Sequence, residues 1–182
     1  HGRKETENLV SGLPRIAARK LAYRGKQLEE MDVDAIIAHK PEIALVDELA
    51  HANIPGSRHV RRFQDVEEIL RAGVNVYTTL NVQHIESLND VVAQITGIVV
   101  RETVPDYIIE QADSVQLIDI PPDDLIKRLK EGKVYMAGQA ERAMRHFFRP
   151  GNINALREMA LRFTASRVDR ELSHYMKEHQ IE

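Results

Sequence analysis

The chain has 182 residues, 43% hydrophobic and 29% charged, enough for one domain with its own core or one domain plus a helical appendage. Its formal charge of −3 gives no general attraction to nucleic acid, and the lack of cysteine excludes disulfides and thiolate metal sites. No apolar run of about 18 residues would span a membrane, and no signal-peptide pattern is present. The opening residue, His1, leads us to expect a stretch of a longer polypeptide.

Residues 4–12 suit a helical turn or two, broken by Pro14. Tyr23-Arg24-Gly25-Lys26 reads as a loop or strand end. Asp32 is placed to cap a short helix through Val33, Ile36 and Ile37 that stops at Pro41. Residues 42–47 form the first strong strand, followed by a long polar loop with Asn53, Pro55, Gly56 and Ser57. Gln64 to Ala72 is a helix with Val66, Ile69 and Leu70 on one face and Gly73 as its stop. Val74 to Thr79 is a β-branched-rich strand, and Ile85, Leu88, Val92 and Ile95 keep helical spacing up to Gly97.

Ile98-Val99-Val100 and Val115 to Ile120 read as two further short strands. Alternation of strand and helix at this spacing predicts a parallel α/β sheet, here over residues 1–121. Beyond Pro121-Pro122 the pattern predicts a helical extension, 122–182. One helix starts at Asp123 and Asp124 and ends at Gly132. A second runs from Gly138 to Phe148, and a third is capped by Asn152. The third carries Leu156, Met159, Phe163, Val168, Leu172 and Tyr175 as a stripe.

The run Ile43-Ala44-Leu45-Val46 ends in Asp47-Glu48, so a buried strand delivers two carboxylates to its tip. A metal–phosphate group is held that way: one carboxylate orients Mg²⁺ and the other can polarise a nucleophile. In open parallel sheets ligands sit beyond the carboxyl ends of the strands. Thr78, Thr79 and Asn81 end the second strand and Asp119 another, so these groups are expected to converge with Asp47 and Glu48. Taken singly, each reads better as a turn or helix cap; it is the three strand ends together that favour a functional crevice.

Arg58 is positioned to neutralise phosphate charge from the following loop, while Arg61 and Arg62 read as solvated charges. His51 has no second ligand triad at fixed spacing, which speaks against zinc. His84 reads equally as a cap neighbour or a base. Lys133, Arg142 and Arg145 read as surface charges, and Phe147 and Phe148 as core. A Gly-rich loop ending in Gly-Lys-Ser/Thr is not in the sequence.

Two long runs go further than pattern. Val46-Asp47-Glu48-Leu49-Ala50-His51, with Asn53 and Pro55-Gly56-Ser57-Arg58-His59, is one; Thr78 through Val92 is the other. Together with Arg101 to Asp106, Leu129 to Tyr135, Phe147-Phe148 and Asn154 to Glu158, they resemble the N-terminal cytoplasmic domain of KdpD-type sensor histidine kinases of potassium and turgor control. The resemblance implies a P-loop NTPase-like fold whose P-loop strand would precede His1. It implies ATP with Mg as ligand, gripped largely from that upstream segment, with Asp47 as the metal contact.

It also implies a regulatory, nucleotide-linked role that tunes an attached histidine kinase. The implied partners are the rest of that polypeptide and its response regulator pathway, with homodimerisation left open. The implied location is that of a cytoplasmic domain of an inner or plasma membrane protein, with neither nucleic acid nor membrane contacted by this stretch. The resemblance carries over no phosphoacceptor or kinase catalytic module, so enzymatic activity stays open. The alternatives are a P-loop-type NTPase or phosphotransferase acting in its own right through Asp47, Glu48 and Thr79, and an interaction module in which both acids only cap. A helicase-like ATPase is disfavoured, since it needs two such lobes.

Overall fold

A computed structural model describes residues 8–131 and 147–180. The chain divides into two compact units: the part up to Glu86 with Arg101–Ile108, and Ser87–Val100 with Ile109 onward. In the first unit, residues 8–10 hold a helical turn, and then β1 (Arg19–Tyr23) pairs antiparallel with β2 (Lys26–Glu30). The turn between them is Arg24-Gly25, with φ of +48° and +75°. Both central residues being left-handed gives the twist a two-residue hairpin needs, and the glycine takes that conformation without penalty. A complete β-ribbon therefore stands where the sequence suggested only a loop or strand end. Lys20 lies opposite Glu29 and Leu21 opposite Leu28, so cross-strand pairs hold a largely exposed ribbon.

Helix α1 (Val33–His39) starts as the sequence indicates: the Asp32 carboxylate accepts from Ala35 N at 3.0 Å, and Lys40 ends it in left-handed geometry. Next come β3 (Ile43–Val46), α2 (Arg62–Arg71) and β4 (Asn75–Thr78). β3 and β4 pair in parallel with Val46 opposite Thr78, which makes this unit mixed α/β with one small parallel sheet. Ala44 and Val46 face inward with Val33, Ile36, Phe63, Val66, Ile69, Val74 and Val104, forming one continuous apolar core. The helix expected from Gln64 begins two residues earlier because Gln64 acts as a cap: its Oε1 accepts from Arg61 N at 3.0 Å.

The second unit is helical among the described residues. It comprises α3 (Asn89–Thr96), α5 (Pro122–Lys130) and α6 (Pro150–Glu178), with α3 and α5 packing on α6. The five-residue α4 (Asp106–Glu110) crosses from the first unit into the second. Val92 and Leu129 are fully buried, joined by Ile109, Ile153 and Leu156.

Several expectations are corrected. Ile98–Val100 and 115–120 are irregular rather than strands; Val99 and Ile118 are exposed, and β-branched residues make a strand only where a pleated neighbour exists to pack on. Helix α3 starts at Asn89, because Ile85 is committed to a parallel bridge with Val104 and two 3₁₀ turns fill the interval. On α6, Leu156 is buried, but Val168, Leu172 and Tyr175 are exposed, so the stripe is core only near the N-terminus. The helix expected over Gly138 to Phe148 falls outside the described residues except at Phe147 and Phe148, whose rings meet edge to face at 5.0 Å. Lys133, Arg142 and Arg145 also fall outside.

Candidate functional site

The register of β3 and β4 sets Asp47 beside Thr79 one step past the last paired residues. The Thr79 hydroxyl donates to Asp47 Oδ1 and accepts from Glu48 N at 3.1 Å. Leu49 N then donates to Thr79 O at 3.0 Å, so the end of β3 hooks over the end of β4. That hook needs a left-handed residue, and Glu48 supplies it at φ +57°. A non-glycine residue held there costs about 1–2 kcal/mol, a strain typical of sites where backbone direction matters. Asp47 and Thr79 are both exposed at this tip, Glu48 half-buried, and Leu49 and Ala50 buried beneath it.

The loop after the tip is pinned from below by carboxylates. Ala52 and Arg61 form an antiparallel bridge at its neck, with Arg62 N donating to His51 O at 3.0 Å. Glu30, at the end of β2 and only 5% exposed, accepts from His51 Nε2 at 3.0 Å, Ile54 N at 2.9 Å and Arg62 at 3.4 Å. Burial by itself raises its pKa, but the His51 and Ile54 hydrogen bonds and the charges of His51 and Arg62 outweigh it and hold the carboxyl below its ordinary value. Asp65 on α2, equally buried, accepts from Asn53 Nδ2 at 2.6 Å and His59 Nδ1 at 2.7 Å. Glu102 Oε1 accepts from Ala52 N at 3.2 Å.

Arg62 is no solvated charge: its side chain is 15% exposed, and NH1 donates to the Asp47 carbonyl at 2.9 Å while NH2 meets Glu30. Arg61 likewise is half-buried and donates to the Arg101 carbonyl at 3.0 Å. Both had the local look of a basic loop, and adjacent arginines carry no periodic signal that separates bridges from solvated charges. Glu30 and Asp65 were missed for the same reason: nothing in Glu29-Glu30 or Gln64-Asp65 distinguishes the buried acid from its less buried neighbour.

Of the residues expected to converge, Asp47 and Thr79 meet through their side chains, and Glu48 joins them through its backbone amide. Thr78 is the last residue of β4 and exposed, and Asn81 opens the turn Val82–His84 with its carbonyl accepting from His84 N at 3.0 Å. His84 donates through Nδ1 to the Glu102 carbonyl at 2.6 Å, so in this structure it braces the chain. Arg58 is held between Asp34 and Glu68, at 2.6 Å to each; the Asp34 hydrogen bond foremost raises its pKa. Asp119 belongs to the second unit, where Arg157 binds both its oxygens at 2.7 and 2.5 Å and lowers its pKa.

Chemically, the tip offers one exposed carboxylate, one hydroxyl and a half-buried second acid. Among the described residues no group of three or more His, Cys, Asp or Glu side chains is placed to hold a metal. Mg²⁺ does not require such a cage: it keeps several waters and binds through one or two carboxylates plus substrate phosphates. The Asp47 carboxylate with the Thr79 hydroxyl fits that partial donor set. Among the described residues, no helix is long and apolar enough to cross a membrane.

A parallel strand pair with an acid and a hydroxyl at its tip, in a chain that also carries a helical unit, defines a mixed α/β module. The chain matches the family described as "Osmosensitive K+ channel His kinase sensor domain", KdpD, over residues 1–168, and it belongs to that family. It is 60% identical over 172 residues to the sensor protein KdpD of Escherichia coli K12, covering 94% of this chain and 19% of that protein. It is 54% identical over 172 residues to that of Clostridium acetobutylicum, with 94% and 19% covered. With a putative sensor protein KdpD of Synechocystis it shares 48% identity over 174 residues, with 96% and 47% covered. The chain thus spans about a fifth of the first two relatives and half of the third.

Proposed function

We propose that this chain is the regulatory, nucleotide-linked sensor region of a two-component histidine kinase that governs potassium transport genes, built on a P-loop NTPase-like sheet. The observation that carries the reading is the Asp47–Thr79 pair at adjacent parallel strand tips, with the Glu48 amide turned onto the same hydroxyl. Family membership supports the sensor part of the reading. In it, Asp47 and Thr79 hold Mg²⁺ of bound ATP, which would supply charge neutralisation at the phosphates. The Glu48 amide is tied to the same hydroxyl, and Leu49 and Ala50 carry the tip's position into the core.

Occupancy then biases the arrangement of the helical unit and, through it, the kinase modules and response regulator pathway. The region acts on the cytoplasmic side of a membrane-bound protein. Amide exchange of the full-length protein tests this. Mg-ATP should slow exchange over residues 45–50 and 77–81, and Asp47→Asn should remove that protection. Protection confined to other regions would overturn the reading.

A further inference from the structure

The Arg62 side chain links two places far apart in sequence. Its NH1 donates to the carbonyl of Asp47 at 2.9 Å, and its NH2 meets Glu30 Oε2 at 3.4 Å. Its Nε, although buried, has no hydrogen-bond partner. The guanidinium is therefore placed for the two outer contacts at the expense of the third, and a planar fork is the only side chain able to make both at once. Glu30 is the last residue of β2, so the far end of this bridge is the ribbon β1–β2. The other Glu30 oxygen accepts from His51 Nε2 and Ile54 N, which ties the loop after the tip to the same carboxylate.

We propose that Glu30 and Arg62 are positioning residues for the Asp47 tip, making the register of the β1–β2 ribbon a determinant of Mg-nucleotide affinity. The peptide whose carbonyl Arg62 holds joins Asp47 to Glu48, the residue in the left-handed conformation. That peptide sets both the direction of the Asp47 side chain and the Glu48 amide that reaches Thr79. Freed from Arg62, it can relax the Glu48 strain by turning, and the hook over β4 opens. Leu21 and Tyr23 of β1 are only partly buried and the rest of the ribbon is exposed, so Glu30 is its one fully buried residue and its point of attachment to the site. This inference rests on the nucleotide reading above.

The test is Mg-ATP titration of the full-length protein, followed by amide exchange over residues 45–50, for the parent, Glu30→Gln, Arg62→Lys and the double variant. Arg62→Lys keeps a cation beside buried Glu30 and so retains the fold, but one ammonium cannot span both acceptors. Circular dichroism and the melting temperature report the fold separately. The expected result is a protection midpoint about tenfold weaker in each single variant, with the double variant no worse than either, as two ends of one bridge require. Exchange over 45–50 without nucleotide should also speed up in each variant.

Folded variants with the parent's midpoint, or a melting temperature that falls while the midpoint stays, would overturn the positioning role and leave the nucleotide site standing. A parent with no Mg-ATP protection over 45–50 would overturn both.

Discussion

The Thr79 hydroxyl is shared by two consecutive residues of the neighbouring strand end: it donates to the Asp47 carboxylate and accepts from the Glu48 amide. This one atom fixes an acid and a backbone turn together, which is why a left-handed glutamate persists beside it. Thr79→Val removes the hydroxyl at nearly constant shape. It should cost about 1 kcal/mol by denaturant unfolding, since one donor loses its partner at an exposed position. Thr79→Ser should recover most of that loss, and a valine variant as stable as the parent would mean that the hydroxyl bridge is dispensable.

The strain at Glu48 has its own signature. Glycine adopts φ +57° freely, so Glu48→Gly should be no less stable than the parent despite losing a side chain, while Glu48→Val should lose about 1–2 kcal/mol. Paired melting curves decide this. Equal losses in both variants would show that the side chain, not the backbone, matters here.

Glu30 makes stability depend on acid. Its folded pKa lies below the ordinary 4.5, so the stabilisation is fully present above about pH 4.5 and is lost as pH falls through the lower folded value. Glu30→Gln should be less stable than the parent near neutrality, with the gap closing through that acid range. Asp119, lowered by Arg157, contributes with the same sign in both proteins and so cancels in the comparison. A gap that stays constant with pH would contradict the charge-based role of Glu30.

In the core of the first unit, Ile69 on α2 is fully buried. Ile69→Ala should cost about 2–5 kcal/mol in chemical denaturation through lost transfer energy and the cavity left behind. Its neighbour Leu70, half exposed, should cost far less when changed to alanine. A reversal would mean that the face of α2 has been misassigned.

Sequence reasoning reached the elements whose signals are local. Asp32 capping α1, the aliphatic run of β3 and the periodic face of α2 each depend on a few adjacent residues, and each stands within a residue or two of its expected place. The convergence of Asp47 with Thr79 followed from the rule that ligands gather at parallel strand ends. The β1–β2 ribbon escaped because its strands are mostly charged and exposed, with only Leu21 and Tyr23 of β1 turned partly inward; Arg24-Gly25 signalled the turn. Long-range partners left no trace in the sequence. Arg62 looked like any loop arginine until Asp47 and Glu30 were seen on either side of it. Conversely, Val115 to Ile120 looked like a strand, yet its Asp119 is held by Arg157 from α6.

Asp119 is engaged by Arg157 within its own unit, whereas Asp47 pairs with Thr79 in the first. Asp119→Asn should leave Mg-ATP protection over residues 45–50 unchanged, whereas Asp47→Asn should abolish it, because Arg157 already occupies both Asp119 oxygens. Parallel amide-exchange titrations compare them. Equal losses would place Asp119 functionally with the strand tips.

The most direct measurement replaces Mg²⁺ by Fe²⁺ in the nucleotide complex of the full-length protein and maps where ascorbate and peroxide cut the backbone. Radicals formed at the iron cleave only nearby peptide bonds, so the cuts report the metal's position. Mg²⁺ held by Asp47 and Thr79 predicts cuts at residues 46–49 and 78–80, dependent on ATP, competed by Mg²⁺ and lost in Asp47→Asn. ATP-dependent cuts that spare both strand tips would contradict it.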